Sequence, residues 1–347
     1  MHVPGWLLLI LISYLTERSM YMRHRGATSS RKFLPGSSPQ GAFLGILLFI
    51  IIFNGALLRP AIPRLHSLNL KYIDDLSMLA AYNLKSCLID DPVDRPRPLN
   101  FNERTLQVLS RENNHLQDDI SSLSVFANKK LLKIKEKKTQ VMKFNFARNS
   151  DFPPELVIEK FENMVEVTTK TKLLGIILTN DLKWEENTDY ICSKAYKKMW
   201  TLRRMKVLDV DPTTILDVYV KEIRAVVELA VPAWHSGLTK KQAATIERVQ
   251  RVAVYIILSD CITGQSDYSY EGALAKLNIE PLEKRRVKLC NTFAQKTLKS
   301  RHANIFKTNK TQHYTRSKPG FVTNMSNTKR FYNSPINYLT RILNSDS

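Results

Sequence analysis

Tyr72-Ile73-Asp74-Asp75 sets two carboxylates side by side at the end of a run, Leu68 to Ile73, that alternates like a β-strand. Neighbouring side chains of a continuous strand point to opposite faces, so adjacent carboxylates converge only where the strand turns. A hairpin tip bearing both would cradle Mg²⁺, which prefers carboxylates, waters and substrate phosphates. A solvated turn accounts for the same tetrapeptide, because Asp is a favoured turn residue. The four cysteines, Cys87, Cys192, Cys261 and Cys290, form no C-x-x-C pair. Their spacing argues against a zinc ribbon or a disulfide-stapled secreted domain and suits a reducing compartment. Cys192, Cys261 and Cys290 fall in helical patterns and are expected to be buried apolar residues. His235, beside Trp234, is expected to pack in the same way.

The elements that would hold these residues follow from periodicity. Residues 1–32 fit an amphipathic helix followed by a basic loop (Arg18, Arg23, Arg25, Arg31, Lys32), and Pro35-Gly36-Ser37-Ser38 punctuates a turn. Residues 41–58 are uncharged and mostly Leu, Ile and Phe, which suits a buried helix or, at marginal length, a membrane span. Leu116, Ile120, Leu123 and Ala127 recur at helical spacing before a lysine-dense stretch, 129–143. Val165-Glu166-Val167 and Leu173 to Leu178 read as strands around a tight turn. Beyond Lys183 the pattern is helical. Ile191, Ala195, Met199, Leu202 and Met205 form one stripe, and Asp211-Pro212 opens a helix with Ile215, Tyr219, Ile223 and Val226 inward. Thr239 to Gln242 is a capping box before Ile246, Val249, Ala253 and Ile256, and a last helix runs from Leu282 through Leu289 to Phe293. From about Thr308 the chain reads as a loosely ordered basic tail.

The 347 residues carry 52 Lys+Arg against 32 Asp+Glu, a formal charge of +20, so a polyanion is the natural partner. Residues 281–347 hold 14 Lys+Arg against Glu283 and Asp346, over half of the excess in the last fifth of the chain. The 44% hydrophobic content excludes wholesale disorder.

Pro39-Gln40-Gly41 opening an apolar segment, followed by a strand ending in Tyr-x-Asp-Asp, resembles motifs B and C of the reverse transcriptases of non-LTR retrotransposons. Downstream, Lys137-Lys138-Thr139 looks like motif D, and Leu173-Leu174-Gly175-Ile176 with Leu182-Lys183-Trp184 looks like motif E, the primer grip. Leu202-Arg203-Arg204-Met205, Ala233-Trp234-His235 and Ile246-Glu247-Arg248-Val249-Gln250 are similar to the thumb and the region beyond it. The resemblance implies an α+β fold: part of a right-hand polymerase palm, an antiparallel sheet with buried helices, followed by a mostly helical thumb-like region. It divides the chain into a helix and basic loop (1–38), a palm portion (39–180), a helical thumb (181–305) and a basic tail (306–347). It also makes 41–58 a buried palm helix and not a span.

The implied activity is RNA-directed DNA synthesis with two Mg²⁺ ions (Mn²⁺ as a substitute) on an RNA template, a DNA primer and deoxynucleoside triphosphates. Asp74 and Asp75 would be catalytic metal ligands and Lys138 a catalytic proton donor to the leaving pyrophosphate. Pro39, Gln40, Gly41 and Tyr72 would lie against template and nucleotide, and Leu174 and Gly175 in the primer grip. The implied compartment is intracellular, nucleus or cytoplasm. Two departures stand out: Lys135 replaces the family's usual Asn, and Glu17 is the only acidic residue before Asp74, so the motif A aspartate is missing. Met1 then looks like an internal start and the chain like a polymerase's C-terminal part, inactive alone. A non-catalytic nucleic-acid-binding remnant and a membrane-anchored protein spanning at 41–58 are the alternatives.

Overall fold

The computed structural model describes residues 4–34, 67–72, 75–80, 118–130, 132, 134–135, 138–144, 159–160, 163–164, 166–262, 269–309, 320–326 and 328–345. The protein is α+β, with small two-stranded antiparallel sheets and many helices. It divides into two compact units, residues 1–139 with 151–166, and residues 140–150 with 167–347.

In the first unit, α1 (Gly5–Leu15) is apolar on every side, and Trp6, Leu9, Ile10 and Ile12 are all exposed. It is therefore not the amphipathic helix expected. The basic segment after it is a hairpin and not a loop: β1 (Ser19–Met20) pairs with β4 (Lys32–Phe33), and β2 (Arg23–His24) with β3 (Ala27–Thr28). Arg25 and Gly26 both have positive φ, the geometry of a two-residue turn whose twist matches the flanking strands. Farther on, β5 (Ser67–Tyr72) and β6 (Asp75–Ala80) form a second hairpin whose ladder runs from Ser67↔Ala80 to Tyr72↔Asp75. The helix α2 spans 118–129 and buries Ala127, as its spacing predicts, and later in the chain β8 (Glu159–Lys160) pairs with β9 (Asn163–Met164) ahead of β10 (Glu166–Val167). Residues 41–58 lie outside the described residues. None of the described helices is long and apolar enough to cross a membrane.

In the second unit, β7 (Gln140–Val141) is tied to the chain near β11 (Lys170–Leu173): Thr168 N donates to Val141 O at 2.8 Å and Thr171 Oγ1 to Gln140 Oε1 at 3.0 Å. β11 pairs with β12 (Ile176–Thr179) around Leu174-Gly175, both at positive φ. The tight turn thus falls inside Leu173–Leu178 and not before it. Asp181 fixes the exit from this hairpin, accepting from Thr179 Oγ1 and Lys183 N. Partial burial opposes ionisation, but those bonds and the Lys183 ammonium outweigh it and hold the carboxyl at about 2.

Three helical segments then build the core. α3 (Glu185–Val207) buries Ile191, Ala195, Met199 and Leu202 and packs on α7 (Lys240–Ile262), which buries Ile246, Val249, Ala253 and Ile257. Each large side chain so removed from water contributes roughly 1.5–3 kcal/mol. Glu185 and Glu186 in the first turn of α3 and Arg204 and Lys206 in the last complement its dipole. Between them, Asp211 caps α4 (Pro212–Val218) by accepting from Thr213 N and Thr214 N, and a π-helical segment, Tyr219–Arg224, leads into α5 (Ala225–Val227). A π turn takes more residues than an α turn. The inward series therefore continues at fours, Ile215, Tyr219, Ile223, Val227, and Val227 replaces the expected Val226. Thr239 and Gln242 make the predicted reciprocal cap of α7.

α6 (Val231–Trp234), α8 (Tyr270–Lys276) and α9 (Leu282–Leu298) complete this layer. α9 buries Leu282, Arg286, Cys290 and Ala294 and leaves Phe293 exposed. Cys192 and Cys290 are free and buried, which pushes their thiols up to about 11 and about 12. The expected loose tail is corrected by α10 (Lys329–Tyr332) and α11 (Pro335–Ser345), the latter packed on α6 and α9 with Leu339 and Leu343 buried. Two of its asparagines anchor it: buried Asn337 donates from Nδ2 to Phe331 O, and partly buried Asn344 bonds both the N–H and the carbonyl of Phe321.

A polar network joins these helices. Gln250, fully buried, accepts from Tyr219 Oη at 2.8 Å and donates to Glu280 O at 2.9 Å and Tyr270 Oη at 3.2 Å. Tyr270 Oη and Leu282 N both donate to Glu247 Oε1. Arg286 is 1% exposed and donates from Nε to His235 Nδ1 at 3.4 Å. Burial, then the Arg286 charge, lowers His235 to about 4.

Replacing Gln250 by Leu leaves the Tyr219 hydroxyl and the Glu280 carbonyl without this partner. Urea unfolding should show a loss of roughly 1–3 kcal/mol for each group left unpaired. His235 binds its proton less tightly in the folded chain than in the unfolded one. Stability is therefore full above pH ~6.5 and declines as the pH falls toward 4. In urea titrations His235→Gln should show a smaller decline than the parent over that window.

Candidate functional site

The β5–β6 register decides where the predicted carboxylates stand. Residues directly opposite in an antiparallel pair share a face, so Tyr72 and Asp75 stand together at the closed end of the ladder. Leu70, Tyr72, Asp75 and Leu79 are exposed, Tyr72 at 58%. Asp75 is thus the first residue of a strand and not part of the turn. Its carboxylate is a hard oxygen donor of the kind Mg²⁺ takes, and it makes no ion pair among the described residues. Among those residues no cluster of three His, Cys, Asp or Glu could hold a metal. Asp74, Pro39, Gln40 and Gly41 lie outside the described residues. Lys138 stands just ahead of β7. It is exposed, and its backbone N–H donates to Lys135 O at 3.1 Å.

Leu174 and Gly175 belong to the second unit and meet its helices. Leu174 is half exposed at the turn, whereas Gly175 lies under Leu229: a Cβ on Gly175 would come within 2.9 Å of Leu229 Cδ2, and its φ of +91° is one that glycine alone adopts freely. Beside this turn opens a cleft of about 210 Å³ with an apolar floor of Ile191, Val226 and Leu229 and a rim of Lys194, Lys198 and Lys221. Lys198 pairs with Glu222, and Lys221 with Asp217. Lys172 and Lys194 pair with no acid among the described residues. They flank Tyr190 instead, their ammonium groups 5.0 and 5.5 Å from its ring centre. The hydrogen bond from Lys172, helped by the Lys194 charge, draws the Tyr190 hydroxyl below its ordinary pKa although burial opposes this.

An aromatic ring between two uncompensated cations, at the mouth of a cleft floored by aliphatic side chains, suits a ligand with a planar apolar part and a negative part. Phosphate contacts and base stacking use these two features. Sequence reading missed Tyr190 and Lys172. Tyr190 and Lys194 are four apart on one helix, which could have shown the pair; Lys172 arrives from β11 and had no sequence signal. No protein-family model matches the chain, and no curated protein or solved structure does either.

Lys172→Met should return the Tyr190 hydroxyl toward its ordinary, higher pKa, and Lys194→Met should do so to a smaller extent. A pH titration of the Tyr190 ring resonance by NMR checks both. An unchanged titration in the Lys172→Met chain would show that the contact does not persist in solution.

Proposed function

We propose that the chain is a piece of an RNA-directed DNA polymerase of the non-LTR retrotransposon kind, one that binds nucleic acid and does not synthesise DNA by itself. The observation that carries this reading is the β5–β6 hairpin: its ladder closes at Tyr72↔Asp75 with two residues between, which suits the Tyr-x-Asp-Asp turn of such enzymes. The second support is the order of the downstream elements, a hairpin with Leu174-Gly175 at its turn and then a basic helical region.

In this reading Asp74 and Asp75 hold Mg²⁺ (or Mn²⁺), which when bound stabilises the attacking and leaving oxygens of phosphoryl transfer. Tyr72 stands beside them against the nucleotide, with Pro39, Gln40 and Gly41 on the template side. Lys138 carries a proton toward the pyrophosphate, and the Leu174-Gly175 turn supports the primer. A two-metal centre needs a further carboxylate, and Glu17 is the only acidic residue before Asp74. Charge stabilisation supplies most of the catalysis in such a site, so the missing ligand abolishes the rate while leaving phosphate contacts intact.

Purified chain should give no primer extension on an RNA template with Mg²⁺, yet should bind primer–template with an affinity that falls steeply as salt rises. Mg²⁺-dependent extension that Asp74→Ala abolishes would overturn the inactivity. Absence of binding at low salt would overturn the reading itself.

A further inference from the structure

α3 carries six cations between residues 190 and 207, Lys194, Lys197, Lys198, Arg203, Arg204 and Lys206, and no acid in that stretch. They are not equivalent. Lys198 is held by Glu222, and Lys206 donates to Ile257 O. Lys197, Arg203 and Arg204 are exposed and pair with nothing among the described residues. Among them, on the side of α3 turned away from the buried Ile191, Ala195, Met199 and Leu202, stands Trp200, 65% exposed. Positions 197, 200, 203 and 204 are three or four apart, so they form one surface strip about 10 Å long.

Exposure alone does not mark Trp200, since Trp6 and Leu208 are about as open; what marks it is the set of cations three or four positions away on the same helix face. Its indole adds nothing to the core, whereas the other face of α3 already supplies the contact with α7. An acidic protein or a lipid headgroup would satisfy the cations. A lipid surface, however, requires a continuous apolar face to sink into the acyl region; the apolar stripe of α3 is turned inward, and beside Trp200 the helix exposes only Val207, at its last residue. A nucleobase matches what remains: a flat ring for the indole, with phosphates within reach of a cation on either side.

We propose that the Lys197–Trp200–Arg203–Arg204 strip binds single-stranded nucleic acid, with one base stacked on Trp200 and the adjoining phosphates on the three cations. This assignment rests on the nucleic-acid reading and gives it a surface. Lys197 is seven residues from Tyr190 and three from Lys194, so one end of the strip adjoins the cleft and a single strand would reach both. Duplex, with its bases already stacked, has no ring to offer Trp200 and is held by charge alone.

The test uses intrinsic fluorescence of the full chain. Trp184 and Trp234 are buried, so a Trp6→Phe background leaves Trp200 as the exposed reporter. Oligodeoxythymidylate should quench it. Trp200→Ala and Trp200→Leu, made in the same background, should each abolish that quenching. Each should also weaken oligodeoxythymidylate binding about tenfold while leaving hairpin-duplex binding unchanged. Alanine at Lys197, Arg203 or Arg204 should each lower the salt dependence by about 0.7 in the log–log slope for single strands. Full single-strand affinity in both Trp200 variants would overturn the strip but leave the nucleic-acid reading standing. A parent chain that binds no nucleic acid overturns both. Quenching by phosphatidylserine vesicles and not by the oligonucleotide would assign the strip to membranes and overturn the proposal.

Discussion

Gln250 is the joint on which the helical unit is assembled. Its amide is wholly buried and uses its carbonyl and both N–H bonds: Tyr219 from the π segment, Tyr270 from α8 and the carbonyl of Glu280 ahead of α9. Apolar stripes at helical spacing drive the four elements together but do not choose among similar packings. A buried amide satisfied by three separate elements does choose, because any slip leaves a donor or acceptor unpaired in low dielectric. Glu247, one turn before Gln250, repeats the device by accepting from both Tyr270 Oη and Leu282 N. Arg224 and Arg285 converge on Glu228 nearby, which keeps that half-buried carboxylate compensated.

The features legible in the sequence are the local ones. The Asp211 and Thr239–Gln242 caps use residues within three positions of each other, and the stripes of α3 and α7 repeat within one helix. The π segment was not legible. Inserting one residue into a turn changes no residue type, so periodicity at 3.6 predicted Val226 where Val227 is buried. Arg286 was not legible either. A cation in an otherwise apolar stripe of Leu282, Cys290 and Ala294 looks exposed until His235 and the acidic side chains of distant helices arrive around it. α11 was hidden by composition, since its Asn and Thr residues suggest a loop; Asn337 is buried donating to Phe331 O of the preceding helix, and Thr340 donating to Ile336 O one turn back in α11 itself.

The candidate site divides along the same line. The alternation of Leu68 to Ile73 announced the first hairpin, because strand period leaves a mark in the sequence, whereas Leu173 to Leu178 read as one strand and its turn at Leu174-Gly175 was missed. Which residue of the Asp-Asp pair belongs to a strand left no mark; it depends on register, and the ladder places Asp75 opposite Tyr72. The Tyr190 arrangement needs Lys172 from a strand and Lys194 from a helix, 22 positions apart in the chain and adjacent only after β11 docks near α3.

Phosphate binding and two-metal chemistry depend on charged side chains in different ways. Phosphate recognition is a sum of many cations, each contributing a separate increment, and of this chain's excess of 20, 12 lies after residue 280 and none between 181 and 280. Removing some elements lowers such a sum without abolishing it. Two-metal chemistry is a product of conditions: several carboxylates must converge within a few ångströms of one another, and losing one removes the charge that holds the ions. Lys172, Lys194, Lys197, Arg203 and Arg204 are exposed and make no ion pair among the described residues, although the first two lie against Tyr190. The scaffold beneath them draws its own stability from apolar stripes and the Gln250 network, so these surface cations are not needed to hold the helices together.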